Sequence, residues 1–321
     1  MPATAVESTA PIAVVLGVVL REGRVLVGWR DSKLHQGNCW EFPGGKVKAT
    51  ETRFQTLLRE LHEEVGITIK KKSVEPLIAF EWRYDAQRYF FSVYLIKDYS
   101  GELKLDFYSR LKWQALETLK ESDFPPANRA IIKSLLLPNR YLVTPVGLDL
   151  AAIEKGLTVA FQSGISMAVF RAPKLDNKTY IDSARRLLLQ NPVFNTGLLI
   201  HNHPTQVHEL NAAGVQLSAE HAKKYCSRPV SKEVLLAVSC HSRLELEHAC
   251  RIDADFALLG PIKITPSHLD DSVLGWTTFK ILAESAPMPV YAIGGLEIGD
   301  LAKYRAYGAQ GIAAIRGFWP L

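Results

Sequence analysis

The sequence is short of the features that mark many specialised chains. It has 4 cysteines in 321 residues, and Cys39, Cys226, Cys240 and Cys250 lack metal-site spacing. They read as free thiols in a reducing cytoplasm. Long hydrophobic runs are missing: the longest, such as Ile12 to Leu20, are too short to span a bilayer. Met1 to Ala10 has neither a basic start nor a cleavage pattern, so no secretion signal is expected and the chain is expected to be cytoplasmic, without a membrane partner. Charge of one sign is not concentrated either. The net charge of +5 is spread over both halves, and Lys70-Lys71-Lys72 is the one basic run, which reads as a solvated turn. A nucleic-acid polymer is therefore not an expected partner. What remains, 47% apolar and 22% charged, is the composition of a soluble globular protein, and the length suits two domains.

What is present is concentrated in Gly45 to Ile67, GKVKATETRFQTLLRELHEEVGI. Phe54, Leu57, Leu58, Leu61 and Val65 recur at three- and four-residue steps, which predicts one amphipathic helix over Thr52 to Val65. Gly66 ends it as a C-terminal glycine should. Glu60, Glu63 and Glu64 stand at i, i+3 and i+4, so their carboxylates are expected to project as one cluster. Such oxygen-rich clusters suit hard cations, Mg²⁺ or Mn²⁺, that bridge to substrate phosphates. Pro43-Gly44-Gly45 lets the backbone turn tightly beside a ligand. A lone Glu-x-x-Glu-Glu is usually a solvated helix face. Here nine fixed positions, Gly45, Glu51, Arg59, Glu60, Leu61, Glu63, Glu64, Gly66 and Ile67, hold over 23 residues.

The segment resembles the Nudix box in full. That resemblance implies an α/β/α sandwich that hydrolyses a nucleoside diphosphate linked to another group. Glu60, Glu63 and Glu64 would be metal ligands, with the Gly44 carbonyl helping and Mg²⁺ (or Mn²⁺) as cofactor. Arg59 would hold the glutamates by charge-assisted hydrogen bonds, and Glu51 belongs to the same catalytic set. The resemblance implies that water would attack phosphorus in line, with the metal supplying charge neutralisation at the diphosphate. Which glutamate acts as base stays open.

The flanks narrow the type. Trp40-Glu41-Phe42-Pro43-Gly44-Gly45 before the box and Asp123-Phe124-Pro125-Pro126-Ala127-Asn128 after it resemble the MutT type, over residues 10 to 137. The implied substrate is the nucleoside triphosphate 8-oxo-dGTP. Asn128 would read the oxidised guanine through its donor and acceptor, or else cap a helix starting near Arg129. Glu41 and Phe42 fall on the substrate side, with Phe42 by the base. Arg88 would stack on or contact the base, and Arg30 and His35 would sit near the phosphates. The family's extra loop carboxylate falls on Phe107, with Asp106 adjacent.

The Nudix domain is expected over 1–138 and a second domain over 139–321. There, eight short apolar strands alternate with helical stretches, beginning at Tyr141, Ser166, Thr196, Gly214, Leu235, Phe256, Val290 and Gly311. The pattern implies a small closed TIM (β/α)8 barrel with short helices. This half resembles the thiamine phosphate synthase and TenI family through Leu199-Ile200-His201-Asn202, Leu259-Gly260-Pro261-Ile262 and Pro289 to Gly295. Gly294, Gly295, Arg316 and Gly317 then fall where such barrels hold a phosphate on backbone N–H groups. The same glycines also read as tight strand-to-helix turns. The resemblance puts Asn202-His203 where an Asn-Asp pair is usual. Of the usual Gln-Leu-Arg-Glu-Lys only Arg171 is kept, Pro261 replaces a histidine and His268 a lysine. The expectation is a degenerate binding module beside the hydrolase. A hydrolase acting on a thiamine-pathway pyrophosphate and a barrel serving as scaffold are the competing readings.

Overall fold

The computed structural model describes residues 10–33, 36–264 and 273–320. The chain divides into two compact units, Met1–Leu136 and Leu137–Leu321.

The first unit is built on β1 (Ile12–Arg21). Around it lie β2 (Arg24–Arg30), β3 (Cys39–Glu41), β4 (Gly44–Lys46), α1 (Arg53–Val65), β5 (Val74–Tyr84), β6 (Gln87–Ile96), β7 (Leu111–Ala115) and α2 (Asn128–Leu136). The sheet runs β3-β2-β1-β6-β5, with β4 also on β1 and β7 on β2. The β1–β6 pairing is parallel and the other pairings are antiparallel. Successive side chains of a strand point to opposite faces, and β1 uses both. Val15 and Val19 face Leu57, Leu61 and Val65 of α1. Val14, Leu16 and Val18 face Ala130 and Ile131 of α2 on the other side. Two cores on one sheet make the α/β/α sandwich.

The second unit is a closed parallel barrel of β8 (Arg140–Val143), β9 (Ala168–Phe170), β10 (Leu198–His201), β11 (Gly214–Leu217), β12 (Leu235–Cys240), β13 (Phe256–Leu259), β14 (Val290–Ile293) and β15 (Gly311–Ala314). All eight expected strands are present, with ends that fall within two residues of those expected. Interleaved are α3 (Leu150–Gln162), α4 (Asn177–Gln190), α5 (Ala219–Ala222), α6 (Arg243–Arg251) and α7 (Gly275–Ala283). The crossover after β10 contains the short 3₁₀ turn Pro204–Gln206, and α5 is a single turn. Such abbreviation is how so short a stretch closes a barrel. The interior is filled by Tyr141, Phe256, Tyr291, Val169, Leu199 and Leu258. One polar chain crosses it: the buried Tyr141 hydroxyl donates to Gln216 Oε1 at 2.7 Å, and Gln216 Nε2 donates to Ser239 Oγ at 3.0 Å.

Candidate active site

The helix that carries the glutamates is fixed at both ends. Thr52 is its N-cap, with a capping box to Gln55, and Gly66 closes it in the left-handed region at φ 78°. Arg59, one face-step in from the core residues, is the hub. Its Nε and Nη2 grip Glu51 Oε1 and Oε2 at 2.8 and 2.9 Å. Its Nη1 donates to Glu60 Oε1 at 2.7 Å and Glu63 Oε2 at 3.1 Å. Thr56 Oγ1 adds a 2.8 Å bond to Glu51. These donors, the arginine first, hold the Glu51 carboxyl down at about 2.

Glu64 behaves differently. It is 6% exposed and accepts the Gly44 N–H at 2.8 Å and the Tyr108 hydroxyl at 3.0 Å, both on Oε2. Burial pushes its carboxyl up to about 8, and the neighbouring Glu60 and Glu41 add to the rise. The expected single cluster of Glu60, Glu63 and Glu64 is therefore divided. Arg59 draws Glu60 and the more exposed Glu63 one way, and Glu64 turns inward. Among the described residues no three His, Cys, Asp or Glu side chains converge into a metal cage. The donor chemistry still fits a hard cation: the groups are carboxylate oxygens on adjacent helical turns, and Glu60 and Glu64 repel each other. Glycine is required on the other wall. A Cβ on Gly45 would lie 2.3 Å from the Glu60 carboxylate, and one on Gly44 would lie 2.1 Å from the Val15 carbonyl.

On the substrate side, Arg30 Nη1 donates to Glu41 Oε2 at 2.7 Å. Burial raises the Glu41 carboxyl against the pull of Arg30. Phe42 is 1% exposed and stacks on Phe124 at 5.5 Å, so it lies in the core instead of offering an open face to a base. Arg88 crosses the β5–β6 hairpin to Glu81 at 2.8 Å. Asn128 opens α2 and is 5% exposed, so its side chain lies in the fold and not on the surface. His35 lies outside the described residues, as does His268.

Two residues escaped sequence reading. Tyr84 accepts the Ala127 N–H at 3.2 Å, next to Asn128, with Cys39 and Arg30 in its electrostatic neighbourhood. Tyr108 reaches Glu64, whereas Phe107 and Asp106, where the resemblance places an extra carboxylate, are both exposed. The signal for Tyr108 was Gly28, a glycine inside a strand.

In the barrel, Gly294 and Gly295 have φ of 102° and 65°. Their absent side chains leave room for Pro261 and Lys263, 2.6 and 2.8 Å from where a Cβ would be. A Cβ on Gly317 would likewise lie 2.8 Å from the Leu296 carbonyl, and Arg316 beside it is exposed. The four thus share one end of β14 and β15, with turn packing enough to require the glycines. Across the mouth, an open cavity of about 240 Å³ is walled by Leu175, Asn177, Tyr180, His201, Asn202 and His203. His203 contacts the His201 carbonyl through Nδ1 at 2.6 Å and Asn177 Oδ1 through Nε2 at 2.5 Å, and stacks on Tyr180 at 4.5 Å. Burial, with Arg171 nearby, pulls His201 down to about 4.

Residues 14–134 match the family model of the NUDIX domain. Residues 140–318 match that of thiamine monophosphate synthase. The first unit is similar to an 8-oxo-dGTP diphosphatase of Escherichia coli (strain K12), 32% identical over 125 residues, covering 39% of this chain and 95% of that protein. It is also similar to a CTP pyrophosphohydrolase of the same organism, 29% identical over 126 residues, covering 39% of this chain and 91% of that protein. The barrel is similar to a thiamine-phosphate synthase of Thermosynechococcus vestitus (strain NIES-2133 / IAM M-273 / BP-1), 26% identical over 189 residues. That match covers 59% of this chain, which spans about half of that protein's length, 53%.

Proposed function

Because the chain belongs to the Nudix hydrolases through its first unit and to the thiamine monophosphate synthase family through its barrel, we propose that it hydrolyses 8-oxo-dGTP to the monophosphate and pyrophosphate with Mg²⁺. The observation that carries the reading is the Arg59 hub. It fixes Glu51, Glu60 and Glu63 by four bonds of 2.7–3.1 Å, while Gly44 fixes Glu64 from the opposite wall. Glu60, Glu63 and Glu64 would hold the cation, with the Gly44 carbonyl as a further oxygen. Bound there, Mg²⁺ would neutralise charge on the diphosphate. Arg59 keeps the carboxylates oriented, which pre-pays the ordering cost of the site. Arg30 supplies a cation on the substrate side, and Asn128 supplies both a donor and an acceptor for a purine edge. The barrel serves as a binding module for a phosphate or a thiamine precursor.

The substrate choice competes with other nucleoside triphosphates, CTP included, and with thiamine-pathway pyrophosphates. A panel of 8-oxo-dGTP, dGTP, CTP and thiamine diphosphate, with Mg²⁺ and detection of released pyrophosphate or phosphate, decides among them. We expect 8-oxo-dGTP to have the highest kcat/KM, and Glu63→Gln to abolish turnover while the fold survives. A higher kcat/KM on CTP or thiamine diphosphate would replace the substrate assigned here.

A further inference from the structure

Gly28 sits inside β2 with ordinary extended backbone, so no turn or positive φ demands a glycine there. Its reason is spatial: a Cβ would stand 2.5 Å from the Tyr108 ring. That ring cannot simply swing away. Tyr108 is 2% exposed and packs in the same core as Leu26, Leu61 and Val65, with Phe107 set edge-on at 4.9 Å. The chain gives up a side chain in a central strand, at a cost in sheet packing, to lay one tyrosine flat against it.

The flat ring delivers its hydroxyl to Glu64 Oε2 at 3.0 Å, the oxygen that also takes the Gly44 N–H at 2.8 Å. Both protein donors therefore fall on one oxygen. Among the described residues no donor takes Oε1. A carboxylate with one oxygen pinned from two sides has its plane and its free lone pairs fixed in advance.

We propose that Tyr108 is a positioning residue for Glu64: with Gly44 it immobilises Oε2 and leaves Oε1 as the ligating oxygen, and Gly28 exists to admit the ring. This rests on the reading of Glu64 as a cation ligand. It assigns to the loop between β6 and β7 a neutral donor behind a metal ligand. The supporting hydroxyl does not touch the nucleotide, so its effect falls on the cation and the turnover, not on recognition of the base.

The test is a Mn²⁺ titration of the metal-stripped full chain, followed by water-proton relaxation, beside thermal melting and steady-state turnover. Tyr108→Phe keeps the ring and removes the donor, and is expected to bind Mn²⁺ about ten- to a hundredfold more weakly. Its kcat should fall with little change in nucleotide KM. Gly28→Ala keeps the hydroxyl but displaces the ring, and should show the same weakening. Wild-type Mn²⁺ affinity and kcat in Tyr108→Phe would overturn the proposal. A lowered melting temperature with unchanged Mn²⁺ affinity would overturn it as well, since that is the signature of packing alone. The titration needs no nucleotide. A wild-type chain that binds Mn²⁺ but cleaves no nucleotide defeats the proposed substrate, while the variants still decide the role of Tyr108.

Discussion

Glu64 is a carboxyl whose burial makes it hold its proton to about pH 8, and this gives the fold a pH dependence that can be isolated. The folded pKa is raised above the ordinary 4.5, so the folded state binds more protons than the unfolded chain between those values. Stability from this group is highest below pH 4.5, falls as pH rises towards 8 and is level above it. The full rise from 4.5 to about 8 is worth roughly 5 kcal/mol as an upper figure, near 1.4 kcal/mol for each pH unit inside the window. The assay is urea unfolding of the metal-stripped wild type and of Glu64→Gln from pH 5 to 9. Taking the difference cancels groups that titrate elsewhere, such as Glu51 and His201. We expect Glu64→Gln to gain on the wild type steadily up to about pH 8. Excess Mg²⁺ should flatten the wild-type slope, because the cation and the proton compete for the same oxygens. Parallel stability curves for the two proteins across this range would refute the reasoning.

Gly45→Ala sets a methyl group against the Glu60 carboxylate, where only 2.3 Å is free, and should lower kcat about ten- to a hundredfold with the fold intact by circular dichroism. Asn128→Ala should lower the preference for 8-oxo-dGTP over dGTP by about tenfold, as expected for about 1.4 kcal/mol of lost base discrimination. Equal losses on both nucleotides would remove Asn128 from base reading.

Much of this architecture was legible in the residue order. The helix over Thr52 to Val65, its closing Gly66 and the eight barrel strands followed from local periodicity, which packing then honours. The Glu60–Glu63–Glu64 cluster was read less well, because spacing fixes where side chains start and not where they end. Arg59, with its fork of donors, captures two of the three, and the Gly44 N–H and Tyr108 hydroxyl take the third. Phe42 is placed by the base through the resemblance of Trp40 to Gly45 to the MutT type. It lies between β3 and β4, outside both strands, and its ring is buried against Phe124. Tyr108 and Tyr84 were not legible, since each contacts the site from a remote part of the chain. Gly28 alone carried a trace of Tyr108, as a glycine lacking a local reason.

The two-faced strand β1 makes the first unit intolerant of one kind of genetic change. Val15 and Val19 serve one core, and Val14, Leu16 and Val18 the other. Deleting a single codon in the middle of β1 would exchange the two sets downstream of the cut, emptying both cores of their intended partners at once. Substitutions among valine, leucine and isoleucine there should be tolerated, whereas length changes should not. Among natural variants of this chain, insertions and deletions should therefore gather in the loops and spare Ile12 to Val19.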